Sequence, residues 1–384
     1  MMIPISRRSA QVTPFLAMEI MERAKQLEAG GRDILYLCLG EPDFATPDAV
    51  VETTVDALQQ GATSYTHSLG LPELRNEIAA HYRRRYGVAV APERILVSSG
   101  TSPLMLLLFS LLLEAGDEVI LPDPGYACYP NFVEFAGGTP QMLRTREEDG
   151  FQPQKEQVEQ ALTDRSRCLL INSPSNPAGS VLSGAQLQQL TTLPIPIISD
   201  EIYHGLTYEG EEHSILEYTD QAFVLGGFSK AYAMTGWRLG FLIAPESCIR
   251  PLQTMHQNFM ICANHFVQLG GVAALQRCEA DVTRMRERYN QRRVRLVERL
   301  RELGLGVRFT PQGAFYVLAD ARHISADSKA LALDILEKTG VAVTPGIDFG
   351  QGAEGYLRFS YASPLEKIDE ALNRIAVYLR ERGL

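Results

Sequence analysis

The sequence predicts an α/β protein with two lobes, a large one built on a mostly parallel sheet and a smaller α+β one. Through the middle of the chain, short apolar runs that end in Gly, Pro, Asn, Ser or Asp alternate with helical patterns of period 3.6. After about residue 280 this alternation stops, and a long charged amphipathic helix leads into a few separate strands. Ligands of parallel sheets bind at the carboxyl ends of the strands, so those loops are the candidate functional region.

Composition excludes several classes of protein. The chain has 384 residues, of which 45% are hydrophobic and 21% charged, which is enough for a large core. A net charge of -10 disfavours a nucleic-acid partner, and the basic run 284–301 is interleaved with acids and apolar residues as in a solvated helix face. Six isolated cysteines form no C-x-x-C pair, so neither a zinc site nor a disulfide framework is expected. The longest apolar stretch, 104–113, falls short of the roughly 20 residues of a membrane span, and we expect a cytoplasmic protein without a membrane partner.

Five segments of the large lobe are predicted as strands that each run into a loop. Helices are predicted between them over 103–114 and 183–193. The strand segments are "RILVSSG", "DEVILPDPGY", "SRCLLINSPSNP", "IPIISDEIY" and "AFVLGGFSK".

The small lobe is predicted to hold helices over 280–303, 329–340 and 364–382. Its extended segments are "VRFTPQGAFYVLAD", "VAVTPG" and "YLRFSYAS". A helix and an extended segment precede the large lobe. The predicted domains are therefore an N-terminal arm that joins the small lobe (1–45), a large domain (46–280) and a small C-terminal domain (281–384).

The stretch "SSGTSPLMLLLF" joins a strand end to a helix start. Gly100 permits a tight turn, Thr101 and Ser102 offer hydroxyls, and Pro103 suits the first helical position. A helix N-terminus presents free N–H groups and the positive end of a dipole, a combination that can hold a phosphate. Taken alone, the stretch is better explained as a simple N-cap.

Other polar side chains follow neighbouring strands. Asn172 and Asn176 lie in a Pro-rich loop, and Asp200 and Tyr203 follow the next apolar run. Each has an ordinary structural explanation, since Asn starts turns, Asp caps helices and Tyr buries its ring. Together they put an amide, an acid and a phenol at one edge of the sheet.

A lysine in an apolar segment completes this set. Lys230 has Phe228, Ala231 and Tyr232 as neighbours, and Arg238 follows eight residues later. Either the stem of the lysine reaches water along an apolar face, or its amine works in a dry pocket.

Eight motifs together resemble one enzyme family. The segments "LGEPDFATP", "YTHSLGLPELR", "GTSPL", "PDPGY", "SNPAG", "DEIY", "SKAYAMTGWRLG" and "RFSYAS", in this order, resemble the class I/II aminotransferases of the aspartate-aminotransferase superfamily. These enzymes depend on pyridoxal 5'-phosphate (PLP) and have fold type I. The resemblance covers nearly the whole chain. It implies a large domain with a mostly parallel seven-stranded sheet, and transfer of an amino group between an L-amino acid and a 2-oxo acid.

The resemblance assigns the catalytic residues. Lys230 would form a Schiff base with the cofactor aldehyde and later move a proton, which requires a neutral amine. Asp200 would face the pyridine nitrogen and keep it protonated, so that the ring accepts electrons. Tyr203 and Asn176 would hydrogen-bond the ring's phenolic oxygen.

The resemblance also assigns the residues that hold the cofactor and the substrate. The side chain of Ser102 would face either the phosphate or the substrate, and Asn172 either lies near the cofactor or has a structural loop role. Arg358 would clamp the substrate carboxylate with help from the backbone N–H of Gly40 and from Asn176. The remaining cofactor residues are Tyr126, which would stack on the ring, and the phosphate-binding Gly100, Thr101, Ser229 and Arg238.

Tyr65 resembles a tyrosine that reaches the phosphate of a neighbouring subunit. This implies a homodimer with shared active sites, in which the segment 258–266 could also approach the partner's pocket.

Two departures from the family pattern carry information. Gly227 stands where many relatives carry a hydroxyl, so one phosphate contact is expected to be missing. Phe15 and Ser102 match positions where aspartate-specific relatives meet the second carboxylate, yet neither brings a positive charge. A neutral or aromatic amino donor is therefore expected.

Two alternatives remain on the same scaffold. A PLP-dependent C–S β-lyase shares the proton abstraction with an aminotransferase, and the sequence separates the two poorly. A non-catalytic PLP-sensing module is disfavoured, because the motif residues are all present and no DNA-binding segment is apparent.

Overall fold

The computed structural model describes residue 3 and residues 5–383, and its α/β architecture confirms the predicted fold class. Within this part of the chain, no helix has the length and apolar character needed to cross a membrane. The helices are α1 (Arg7–Gln11), α2 (Leu16–Ala29), α3 (Asp48–Gln59), α4 (Pro72–Tyr86), α5 (Thr101–Leu112), α6 (Tyr129–Phe135), α7 (Lys155–Ala161), α8 (Gly184–Leu190), α9 (Glu246–Phe259), α10 (His265–Arg277), α11 (Glu279–Glu302), α12 (Ser328–Thr339) and α13 (Leu365–Glu381).

A seven-stranded sheet forms the centre of the large lobe. Its spatial order is β2-β8-β7-β6-β5-β3-β4, and all neighbouring pairs are parallel except those that involve β8. The strands of the chain are β1 (Leu35–Tyr36), β2 (Ile95–Ser98), β3 (Glu118–Asp123), β4 (Thr139–Arg144), β5 (Ser166–Asn172), β6 (Ile197–Asp200), β7 (Phe223–Gly227), β8 (Gly240–Ile243), β9 (Tyr316–Asp320), β10 (Val341–Ala342), β11 (Thr344–Pro345) and β12 (Tyr356–Ser360).

Apolar side chains cover both faces of this sheet. Along β5, Leu169 and Ile171 pack into one core cluster while Leu170, between them, packs into the other. Val224 and Leu225 on β7 divide in the same way, as period-2 alternation requires. Burial on both faces explains why these strands read as continuous apolar runs rather than as alternating patterns.

Two strands of the sheet were not among the segments predicted individually. The edge strand β4 carries half-exposed and exposed side chains and includes Pro140, which is tolerated at an edge. The strand β8 directly follows the lysine-containing segment and runs antiparallel to both of its neighbours. β4 lacks a buried run, whereas β8 is buried along its length but leads almost directly into α9 instead of into a long polar loop.

The small lobe has its own core. Leu35 from the N-terminal segment packs in one cluster with Leu296, Phe315, Leu357 and Ile375. In this lobe β9, β12 and β11 form an antiparallel sheet, and β1 pairs with β10. The packing of the N-terminal segment here supports the predicted arm, whereas the domain boundaries themselves stay a prediction.

The carboxyl end of β6 is anchored by a buried acid. Glu201 follows Asp200 directly and accepts hydrogen bonds from Ser199 Oγ (3.1 Å), Ser214 Oγ (3.0 Å) and the N–H of Ile215 (3.0 Å), with a fourth from the hydroxyl of Tyr82 (3.2 Å). Burial raises the pKa of this carboxyl group, so the four donors offset a real desolvation cost. The anchor fixes the backbone from which Asp200 projects.

Removal of this anchor is expected to destabilise the large lobe. Glu201→Ala leaves four donors without their acceptor, so we expect the free energy of unfolding to fall by about 2–4 kcal/mol. Urea unfolding followed by the fluorescence of Trp237, the chain's single tryptophan, measures this change. Glu211→Ala is the matched control, because the side chain of Glu211 is 89% exposed. Equal urea midpoints for the two variants would contradict the anchoring role.

Candidate active site

A cavity of about 450 Å³ lies where the carboxyl ends of β5, β6 and β7 meet the small lobe, within the size range of small-molecule sites. Nearly all of the predicted site residues line this cavity. There are two exceptions: Gly100 lies beside Arg238 but does not line the cavity, and the side chain of Tyr65 is 81% exposed at the surface. The predicted residues that line it are Phe15, Gly40, Thr101, Ser102, Tyr126, Asn172, Asn176, Asp200, Tyr203, Ser229, Lys230, Arg238 and Arg358.

Lys230 projects into this cavity, and its Nζ donates a hydrogen bond to the carbonyl oxygen of Gly40 (2.6 Å). Burial lowers the pKa of the amine to about 8, and the charges of Arg358 and Arg238 act in the same direction. Glu41 is the largest opposing influence. The result is an amine with a substantial neutral fraction near neutral pH, as a nucleophilic lysine requires.

Asp200 ends β6 and is buried. Its carboxylate accepts hydrogen bonds from the hydroxyl of Tyr129 (2.6 Å) and from the N–H of Ile202 (3.1 Å). Among the described residues it forms no ion pair, and burial raises its pKa to about 6. A buried carboxylate without a cation favours a positively charged group of a ligand.

An anion cradle lies at the start of α5. No side chain caps this helix, and Gly100 has φ 98°, where a Cβ atom would lie 2.7 Å from Nη2 of Arg238. Glycine at this position thus lets the guanidinium approach the helix N-terminus. Thr101 and Ser229 add hydroxyls on the same wall of the cavity. Free helix N–H groups, hydroxyls and a guanidinium together suit a phosphate group.

Arg358 is almost completely buried, at 2% exposure. Its Nη1 donates to Oδ1 of Asn176 (2.9 Å), and its Nη2 donates to the carbonyl oxygen of Cys38 (2.7 Å) and to Oγ1 of Thr344 (3.1 Å). Its buried Nε has no partner within the described part of the chain. A buried guanidinium with an unused donor next to an open cavity is suited to a carboxylate ligand.

Asn172 holds the loop that carries Asn176. Its Nδ2 donates to the carbonyl oxygen of Asp200 (2.8 Å), and its Oδ1 accepts from the N–H of Asn176 (2.8 Å). The side chain therefore ties β5, β6 and the loop together, which favours the structural alternative. Gly227 is equally constrained, since an added Cβ atom would lie 2.9 Å from Cδ1 of Ile202 and 3.2 Å from the carbonyl oxygen of Leu239. A hydroxyl residue does not fit there without a shift.

Comparison with known proteins agrees with this geometry. The profile of the family "Aminotransferase class I and II" matches residues 32–375. The chain is 39% identical to the aspartate/prephenate aminotransferase of Thermus thermophilus over 380 residues, which is 97% of this chain and 98% of that protein. The chain belongs to the class I and II aminotransferase family. It is also 35% identical to the (5-formylfuran-3-yl)methyl phosphate transaminase of Methanocaldococcus jannaschii, over 98% of this chain and all of that protein.

The fold of the chain is also close to the folds of solved aminotransferases. The structure of the Thermus thermophilus aspartate aminotransferase with maleate superimposes with a TM-score of 0.94 at 39% identity, and covers 98% of this chain and 99% of that one. An aminotransferase from Mycobacterium tuberculosis gives the same TM-score at 34% identity, over 99% of this chain and all of that one. These findings confirm fold type I, the aminotransferase family and transaminase activity. Membership also implies PLP, and the cradle, the unpaired acid and the lysine fit that cofactor.

Several lining residues of this aminotransferase were not predicted from the sequence. Tyr129 and Tyr316 contact predicted site residues through their hydroxyls, and Met18, Met21 and Met105 form part of the wall. Tyr129 lies three residues after Tyr126 in "GYACYPNF", a spacing that could have indicated it. The other contacts depend on how the lobes pack and leave no local signal in the sequence.

The lowered pKa of Lys230 predicts a pH profile for its chemical modification. In the cofactor-free protein, trace labelling by acetic anhydride should rise with a midpoint near pH 8, because only the neutral amine reacts. Mass spectrometry of the Lys230 peptide measures the yield at each pH. Lys25 serves as the internal reference, since its pKa is raised by its hydrogen bond with Glu28.

Glu41→Gln provides the matched variant for this test. Removal of its negative charge should move the midpoint for Lys230 further down, because Glu41 is the main group that favours the charged amine. A midpoint near the ordinary value of 10.5 in both proteins would contradict the desolvated environment.

Proposed function

We propose that this aminotransferase binds PLP through Lys230 and uses a neutral or aromatic L-amino acid as its amino donor. When bound, PLP supplies an aldehyde carbon that accepts the amino group and a ring that withdraws electrons from the substrate's Cα. The observation that carries the donor assignment is the charge distribution of the cavity wall: each lysine or arginine that lines it within the described chain already has another role.

Each site residue has a separate role that follows from its position in the cavity. Arg358 binds the substrate's α-carboxylate through its free Nε, and Asn176 and Cys38 hold the guanidinium in place. Lys230, whose amine is half neutral at its pKa of about 8, takes the proton from Cα and returns it. Asp200 stabilises a positive charge at the base of the cavity.

The cofactor assignment rests on two groups of residues at the cavity, each suited to a different part of PLP. The cradle of Gly100, Thr101, Ser229 and Arg238 suits the phosphate, and Asp200 suits a protonated ring nitrogen. The ring between them would lie against Tyr126 and near the hydroxyl of Tyr203, both of which line the cavity. The side chain of Ser102 would face either the phosphate of the cofactor or the substrate.

The pocket for the donor's side chain is apolar. Phe15 packs edge-on against Tyr126 with ring centroids 6.0 Å apart, and Met18, Met21 and Met105 extend the same wall. Of the cations on the wall, Lys230 is the nucleophile, Arg238 belongs to the phosphate cradle and Arg358 binds the α-carboxylate. A second substrate carboxylate would therefore enter the pocket without a counter-ion, at a desolvation cost.

A homodimer is the proposed assembly. Tyr65, Phe259 and Ile261 are exposed by 81%, 69% and 46%, and exposed large apolar side chains favour a contact with another protein. The N–H of Thr66 donates to Sγ of Cys262 (3.4 Å), which brings the segment that follows Tyr65 next to the segment 258–266. The segment 258–266, which would approach the partner's pocket, contains no lysine or arginine. The partner segment would thus leave the donor pocket uncharged.

A C–S β-lyase is the second candidate. It would use the same lysine, acid and arginine, and the apolar wall accepts a sulfur-containing side chain as readily as an aromatic one. Release of pyruvate and ammonia from cystathionine without an added oxo acid would favour the lyase.

A panel of amino donors tests the proposed preference. With 2-oxoglutarate as acceptor, we expect kcat/KM for phenylalanine, leucine and methionine to exceed that for aspartate by at least about 10-fold, because the pocket offers apolar contacts and no second cation. A preference for aspartate of similar size would defeat the proposal.

The variant Phe15→Ala separates pocket effects from general loss of function. It should lower kcat/KM for phenylalanine by about 10-fold or more and change the value for alanine little, since alanine does not reach that wall. Arg358→Ala is the control, because it should damage every donor alike. Equal losses for phenylalanine and alanine in the Phe15 variant would remove Phe15 from the pocket.

A further inference from the structure

Tyr316, at the start of β9, connects two residues to which the proposed function gives separate tasks. Its hydroxyl lies 2.9 Å from the hydroxyl of Tyr203, and the guanidinium carbon of Arg358 lies 4.3 Å from the centre of its ring. Tyr316 is 1% exposed and lines the cavity. One side chain thus touches both the carboxylate-binding arginine and the tyrosine expected at the cofactor's phenolic oxygen.

The position of the Tyr316 hydroxyl is closely constrained. A Cβ atom on Gly40 would lie 2.2 Å from it, so the hydroxyl packs directly against the main chain of the residue whose carbonyl oxygen accepts from Lys230. Within the described chain, Tyr203 is its only hydrogen-bond partner. The ring of Phe315 also packs edge-on against Tyr203, 5.5 Å between centroids, which restricts movement of the pair.

We propose that Tyr316 is a positioning residue that transmits the binding of a carboxylate at Arg358 to Tyr203. The inference rests on the proposed function, because it takes Arg358 as the carboxylate site and Tyr203 as a donor to the bound cofactor. The geometry of the pair allows either hydroxyl to donate, and we take Tyr316 as the donor because Tyr203 uses its own proton for the cofactor. In the empty site, the cation over its ring then makes the phenol of Tyr316 a stronger donor to Tyr203. Tyr203 then keeps its own proton for the cofactor's phenolic oxygen and becomes a stronger donor there.

Carboxylate binding reverses this effect. A substrate carboxylate neutralises much of the field of Arg358, so the hydroxyl of Tyr316 becomes a weaker donor, and Tyr203 in turn donates less strongly. A hydrogen bond to the phenolic oxygen stabilises its negative charge when the nitrogen of Lys230 is unprotonated. A weaker hydrogen bond therefore raises the proton affinity at that nitrogen, which is the state that draws a proton from an incoming ammonium group.

The two phenols act here as neutral groups. Burial raises the pKa of both Tyr203 and Tyr316, although Arg358 lowers each in part, so both hydroxyls keep their protons at neutral pH. A parallel connection exists through Asn176, which accepts from Nη1 of Arg358 (2.9 Å). The pKa of Lys230 also depends on the charges of Glu41, Arg238 and Asp200, none of which contacts Tyr316. The variants used in the test leave these three groups in place.

The test is a pH titration of the visible absorbance of the cofactor-loaded protein, with and without 3-phenylpropanoate, a carboxylate that has no amino group. For Tyr316→Phe we expect the midpoint without ligand to rise by about 0.5–1 pH unit, the size of one lost neutral hydrogen bond. The ligand should raise the wild-type midpoint, and it should raise that of the variant by a smaller amount. The ring of Phe preserves the contact with Arg358, so a merely structural role predicts no change in midpoint.

Two further variants serve as controls for the effect of Tyr316→Phe. Tyr361→Phe removes another buried hydroxyl, which lies near the carbonyl oxygens of Gly313 and Ala314 and does not line the cavity, and it should leave both midpoints at the wild-type values. Asn176→Ala removes the parallel connection, so the ligand-induced shift that remains comes through Tyr316 and from the direct action of the Arg358 charge on Lys230. The part of that shift that is lost when Tyr316→Phe is added to Asn176→Ala measures the contribution of Tyr316.

The results that overturn the proposal are specific. Unchanged midpoints in Tyr316→Phe would do so, and so would complete loss of the ligand-induced shift in an Asn176→Ala protein that still binds 3-phenylpropanoate. If the proposed function itself is wrong, the experiment gives a different result, because a wild-type protein that does not bind PLP has no visible absorbance band to titrate.

Discussion

The removal of the Lys230 amine from water is the constraint on which the rest of the site depends. In water a lysine stays mostly charged up to about pH 10, and a charged amine is not a nucleophile. In this fold burial, assisted by the charges of Arg358 and Arg238, lowers the pKa to about 8. The same two cations are the groups that suit a carboxylate and a phosphate. In the proposed function, substrate binding, cofactor binding and the reactivity of the lysine therefore share one electrostatic origin, and a change to either arginine would affect all three.

The sheet explains how groups so far apart in the chain come to share this cavity. Asn172 and Asp200 end neighbouring parallel strands in register, and the turn that carries Lys230 follows the next strand, β7. Parallel strands present their carboxyl ends at one edge, which is why ligands of such sheets bind there. The small lobe then closes the cavity with Arg358 from β12. Lys230 and Arg358 thus come from different lobes, and the spacing between them depends on how the lobes pack.

The parts of this arrangement that depend on local chemistry were predictable from the sequence, and those that depend on packing were not. The long charged helix was expected over 280–303 and lies at Glu279–Glu302, because a periodic pattern defines a helix within a few residues. The family motifs located Lys230 and most of its neighbours in one cavity. In contrast, the hydrogen bonds of Tyr129 with Asp200 and of Tyr316 with Tyr203 join residues 71 and 113 positions apart. No local pattern distinguishes these tyrosines from ordinary core residues, since the same ring would be buried in either case.

The measurement that tests the account most directly is identification of the residue that holds the cofactor. The protein is loaded with PLP, reduced with borohydride, digested and examined by mass spectrometry for a pyridoxyl group. The account predicts a single modified side chain, that of Lys230, and loss of the label in Lys230→Ala while the protein still binds PLP without a covalent bond. A stable label on another lysine, or none on a protein that is yellow with bound PLP, would contradict it.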